Sequence, residues 1–150
     1  MILVKVQTKL MGNQFEFLAL SANEKLGNEQ IACGIDEVKR IERLLTTYSD
    51  DSITNEVNRN AGIKPVEVPD EFFNLVYRAQ KISALTQGYF DLSYGSLDKN
   101  FWNFNESMTK LPSMQEAKKS VHLIDYRNIL LDNNAKTVFL KSKGMRIGFG

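Results

Sequence analysis

Cysteine, histidine and proline are scarce in this chain, at one, one and three among 150 residues. With Cys33 alone, no intrachain disulfide can form, and its place in a helical pattern reads as a small core residue. One cysteine and one histidine make a thin basis for a zinc site. His122 lies between Val121 and Leu123 with no G-x-S-x-G elbow to accompany it, so no nucleophile and base pair emerges. A P-loop and a G-x-G-x-x-G fingerprint are also missing, the nearest paired glycines being Gly148 and Gly150. Long apolar runs are lacking too. The opening MILVKVQTKL is interrupted at Lys5, which excludes a secretory signal or a membrane span there. Neither sign of charge dominates. Nineteen basic residues face 18 acidic ones for a net +1, which leaves no electrostatic footprint for nucleic acid or an anionic membrane. There are no repeats, low-complexity segments or flexible linkers.

What remains is the composition of a soluble globular protein, 43% hydrophobic and 25% charged, at the length of one ordinary domain. MILVKVQT alternates Ile2, Val4 and Val6 against Leu3, Lys5 and Gln7, the period of a strand. QFEFLALS repeats the pattern with Phe15, Phe17 and Ala19 on one side, after a glycine turn, KLMGN, that carries Met11. Residues 28–47 give the strongest helix, with Ile31, Ile35, Val38, Ile41 and Leu45 at spacings of three and four. TTYSDDS breaks it, because its hydroxyls and carboxylates compete for backbone hydrogen bonds. Ser52 then caps a short helical segment, SITNEVNRN, which stops near Gly62. KPVEV is extended between Pro65 and Pro69.

A second good helix is predicted from about Asp70 to Gln87, with Phe72, Val76, Ala79 and Ile82 on one stripe and Gly88 as its C-cap. Ser113 and Glu116 form a capping box that opens a shorter helix through about Val121. NILLDNNAKTVFLK reads as a hairpin turning at Asp-Asn-Asn, and GMRIGFG as a strand-like run. Strands and helices mix without regular βαβ alternation, which favours an α+β fold, a mixed sheet with packed helices.

Two places invite more than a structural reading. Tyr48 falls where a helix breaks into a polar loop, so its ring need not be core. QGYFDLSYGSLDKNFWNF, residues 87–104, follows neither repeat, and Tyr89, Phe90 and Asp91 come directly after the helix cap. On residue chemistry two readings stay open. Phe90 packs inward while Asp91 caps a turn, or the rings and carboxylate form a platform for a planar ligand. Paired Asp50 and Asp51 read as solvated turn formers, and Lys118-Lys119 as an exposed helix face.

Several segments, in order, resemble the bacterial FAD:protein FMN transferases, the ApbE family. LMGNQFEF is similar to the family's LMGT-F-E opening. IDEVKRIERLLTTYSDDSITNEVNRNAG resembles its helix and S-x-Y-x-P-x-S-E-…-N motif, and GYFDLSYGSLDKNFWNF its G-x-F-D-x-(T/S)-x-G-x-L-…-W-x-F signature. GMRIGFG resembles the strand leading into a glycine-rich G-I-x-K-G-Y-A motif. The resemblance implies an ApbE-like α+β fold of which residues 1–150 are an N-terminal portion. It also implies Mg²⁺-dependent transfer of FMN from FAD to a threonine hydroxyl, with release of AMP. The implied acceptor is a flavin-carrying subunit of a membrane redox complex. By position, Met11, Tyr48, Tyr89, Phe90 and Asp91 would contact FAD, while catalytic residues and Mg²⁺ ligands are expected beyond residue 150.

The sequence departs from the family's pattern in places. Asp50 stands at the usual proline, and Ser52-Ile53 replaces the S-E pair. Tyr89 replaces a small residue, which points to contact through its backbone, and Gly148 occupies the place of an aspartate. Alternative readings are a hydrolase splitting FAD to FMN and AMP, and a non-catalytic flavin-binding module. No leader stands in the chain, which reads as cytoplasmic as given, or as a periplasmic or membrane-anchored lipoprotein if a leader has been removed.

Overall fold

The computed structural model describes residues 1–97 and 113–149. They form two compact units, Met1–Leu45 and Thr46–Gly150. The first consists of β1 (Ile2–Leu10), β2 (Asn13–Ser21) and α1 (Glu24–Leu45). The strands pair antiparallel with Val4 opposite Ala19 and Val6 opposite Phe17, so the alternation read from the sequence turns these residues toward α1. A tight turn joins the strands, with Met11 and Gly12 both at positive φ (50° and 74°). That combination belongs to the two-residue hairpin turn that matches strand twist. Met11 is held there by its N–H, which donates to the Glu42 carboxylate at 3.1 Å.

α1 begins earlier than the predicted residue 28. Asn23 caps it by accepting the Leu26 N–H at 2.9 Å. Gly27, which weakens a helix on propensity alone, is instead where the helix meets β1, for a Cβ there would run into Val4. Tertiary packing outweighs the propensity cost. Cys33 is exposed, not core. It lies about 200° around the helix from Ile31, on the face away from the Ile31, Ile35 and Val38 stripe.

The second unit contains α2 (Ile53–Arg59), β3 (Val66–Glu67), α3 (Asp70–Leu85), α4 (Met114–Val121), β4 (Ile129–Asp132) and β5 (Thr137–Leu140). Two 3₁₀ turns, Leu92–Ser96 and Tyr126–Asn128, complete it. The strands form an antiparallel sheet in the order β3-β5-β4. Its core comprises Val57, Phe72, Val76, Ile129, Val138, Leu140, Met145 and Ile147, none more than 1% exposed. The α+β class expected from the sequence is the one observed. Ser52 caps α2 as predicted, accepting the Asn55 N–H. The helix begins at Met114, directly after Ser113, while the Glu116 side chain lies outside the described residues, as do residues 98–112 of the aromatic stretch.

Two details of α3 differ from expectation. The buried stripe is Phe72, Val76, Ala79 and Ser83, and Ile82 is exposed beside it. The helix also ends at Leu85, and the left-handed position after it is Gln87 (φ 54°) rather than Gly88 alone. The Gln87 N–H donates to Ala84 O and the Gly88 N–H to Ser83 O. That pair of bonds is a Schellman closure with glutamine at the position glycine usually takes.

Candidate functional site

The segment after α3 is shaped by a carboxylate. Asp91 is extended (φ −149°, ψ 120°) and caps the following 3₁₀ turn. Its Oδ1 accepts from the Ser93 N–H at 2.8 Å and the Ser93 hydroxyl at 2.6 Å, and its Oδ2 accepts from the Tyr126 N–H at 2.8 Å. Gln80 of α3 donates to the carbonyls of Tyr126 and Ile129 at 3.1 and 2.7 Å. The two 3₁₀ turns and α3 are therefore tied together by side chains. A carboxylate offers about four acceptor positions, so Asp91 retains one on Oδ2.

Met145–Phe149 closes the other side of this segment. It was expected to be strand-like, yet no strand is assigned there among the described residues. Its backbone is bonded by side chains instead. The Asn58 amide accepts the Ile147 N–H at 2.8 Å and donates to Ile147 O at 3.1 Å. The Ser96 hydroxyl makes the same paired contact with Arg146, and the Gly148 N–H donates to Leu92 O. Gly95 permits this approach, because a Cβ there would sit 2.8 Å from the Ile147 carbonyl carbon.

Between these parts of the second unit lies a cavity of about 730 Å³, within the roughly 300–1,000 Å³ usual for small-molecule sites. One face of α3 (Leu75, Arg78, Ala79 and Ile82) forms one wall, Gly88 through Leu92 and Tyr94 another, and Ile124, Gly148 and Phe149 the remainder. Three of the expected residues, Tyr89, Phe90 and Asp91, thus line one cavity. Phe90 is not packed away inside; the residue is 42% exposed, while Tyr89 is 97% exposed. The turn-capping role foreseen for Asp91 is present, and the carboxylate lines the cavity as well.

Gly148 meets this space without a side chain; a Cβ there would lie 3.4 Å from the Tyr94 hydroxyl. Phe149 stacks edge-on against buried Phe72, with centroids 5.4 Å apart. Arg78 and Tyr94 were not singled out in the sequence. Arg78 sits mid-helix among residues of ordinary solvated pattern, and only the fold shows which face carries it.

Tyr48 is not among the lining residues. It is 87% exposed on a loop pinned from α2. Ser52 donates to Thr46 O at 2.6 Å, Asn55 to the carbonyls of Thr47 and Ser49, and Arg59 to Asp50 O. Met11 belongs to the first unit. Among the described residues no three His, Cys, Asp or Glu converge on a metal position. Histidine 122 is exposed in the turn after α4.

The ApbE family pattern matches residues 11–150. The chain belongs to the ApbE family. An FAD:protein FMN transferase of Klebsiella pneumoniae (strain 342) is 28% identical over 141 residues, covering 94% of this chain and 43% of that protein. The ApbE protein of Thermotoga maritima superposes with a TM-score of 0.84 at 24% identity, over 98% of this chain and 47% of its own. The apo flavinyl transferase ApbE of Pseudomonas stutzeri gives 0.77 at 19% identity, over 99% and 49%. These ApbE structures share the fold, and the chain spans about half the length of the relatives it matches. The G-Y-F-D-L-S-Y-G run of this chain now has a local account: Asp91 and Ser93 bond to each other, and Gly95 admits the Ile147–Gly148 backbone.

Proposed function

We propose that this ApbE-family protein takes part in FAD:protein FMN transfer, and that the cavity of the second unit supplies part of the flavin site. The observation carrying this reading is the convergence of Tyr89, Phe90 and Asp91 with Phe149 on one largely apolar cavity in a chain of this family. Such a cavity suits a flavin, whose ring system packs against aromatic and aliphatic side chains while a few polar groups orient its edges. The Phe90 ring and the Tyr89 main chain would meet the ligand. Asp91 would hold that wall and offer its remaining Oδ2 acceptor position. Tyr48 and Met11 stay in the reading on the family resemblance alone.

In the full reaction a threonine hydroxyl of an acceptor flavoprotein, on our reading a subunit of a membrane redox complex, attacks the flavin-side phosphorus. A phosphoester forms, the pyrophosphate bond breaks, and AMP leaves. Among the described residues no three His, Cys, Asp or Glu side chains assemble a Mg²⁺ site; when bound, the ion would neutralise charge on the pyrophosphate. Incubating the full-length protein with FAD, Mg²⁺ and a candidate acceptor tests the proposal. Covalently fluorescent acceptor and equimolar AMP are expected. AMP without labelled acceptor would turn the assignment toward hydrolysis, and neither product would refute transfer.

A further inference from the structure

The cavity's charged groups are unevenly committed. Asp91 is engaged by three internal donors. Arg78, one α-helical turn from Leu75 and Ile82 on the lining face of α3, forms no ion pair or hydrogen bond among the described residues. It therefore presents a positive charge with no bonded partner to a space where Asp91, itself held by those three donors, is the other charged group and the remaining wall is mostly rings and aliphatic side chains. Tyr94 adds a hydroxyl beside Gly148, where no side chain intervenes. A cation and a hydroxyl on an aromatic cavity match a planar ring bearing an anionic arm, because a guanidinium forks onto phosphate oxygens with two parallel hydrogen bonds.

We propose that Arg78 is a specificity-determining residue that selects phosphorylated over unphosphorylated flavin. The inference rests on the flavin reading of this cavity, but it concerns the phosphate rather than the ring. Arg78 is exposed, so its pull is screened by salt and is strongest at low ionic strength.

FMN and riboflavin share the ring and differ by one phosphate, which makes their affinity ratio the decisive readout. Equilibrium dialysis of the full-length protein against each, at low and at high salt, should give tighter binding of FMN. Arg78→Ala should shrink that preference roughly fivefold to tenfold at low salt, and Arg78→Lys should retain part of it, since lysine keeps the charge without the fork. Circular dichroism of each variant identifies loss of fold, and the lysine variant carries the test if alanine unfolds. An FMN preference absent from the parent, or unchanged in Arg78→Ala, would overturn the role of Arg78 while leaving the flavin cavity standing. If neither flavin nor FAD binds the parent protein, the flavin reading and this inference fall together.

Discussion

Asn58 does at the residue scale what a strand partner does elsewhere. One amide accepts from and donates to the backbone of Ile147, 89 positions away in sequence. Ile147 is fully buried, so without Asn58 its N–H and C=O would have to be stripped of water with nothing in exchange. Leaving two buried backbone groups unpaired costs about 2–6 kcal/mol, at about 1–3 for each. Asn58→Ala should lower the urea midpoint accordingly, and because Gly148 and Phe149 follow directly, it should also weaken flavin binding. Asn58→Asp keeps the acceptor for the Ile147 N–H but aims a carboxylate at Ile147 O, so it should rescue little. A midpoint for Asn58→Ala within experimental error of the parent would refute this account. None of this could be read from SITNEVNRN, where Asn58 looks like any polar residue on a short helix, because its partner is set by the fold and not by a local pattern.

Elements were legible to the extent that local chemistry set them. The periods of β1, β2, α1 and α3 appear in the sequence because each buries one face, and Ser52 announced α2 because a cap is a local bond. Boundaries failed where something nonlocal intervened. Gly27 stays helical by packing on Val4, and Gln87 adopts a left-handed φ to close α3. The β4–β5 turn opens with local bonds, although Lys136 at its end also meets Val68, Asp70 and Phe73. Asp132 Oδ1 accepts the N–H groups of Asn134 at 2.8 Å and Ala135 at 3.0 Å. These bonds, from Ala135 first and Asn134 second, hold the carboxyl below its ordinary 3.8. A carboxylate with a depressed folded-state value contributes stability above the unfolded value and loses it as the pH falls through the folded one. Asp132→Ala should therefore lower the urea midpoint at pH 7. The gap from the parent should close as the pH drops through and below the ordinary carboxylate range. A gap independent of pH would mean that the turn is held by something other than the ionised carboxylate.

The whole molecule divides its core unequally, and its behaviour should follow. In Met1–Leu45 the buried hydrophobic residues are Val4, Leu10 and Ile31, while Leu3, Leu18 and Leu20 are exposed on the opposite face of the hairpin. A two-stranded hairpin is marginal in water unless something packs on it, and here one face of α1 does so. Thr46–Gly150 instead encloses Phe72, Val76, Ile129, Val138, Leu140, Met145 and Ile147 at 1% exposure or less. Opening the first unit exposes less apolar surface than opening the second, so its amides should exchange through a lower-energy opening. The division bears on the site as well, since the cavity lined by Tyr89, Phe90 and Asp91 belongs wholly to the better-packed unit. Composition and periodicity do not show such a division, because both units have the same mixture of apolar stripe and polar flank. It emerges only when burial is summed over contacts distant in sequence. Native-state hydrogen exchange on the 150-residue chain should show β1 and β2 amides exchanging on the order of tenfold or more faster than those of β4 and β5. Equal protection of the two hairpins would show that the units open as one cooperative body.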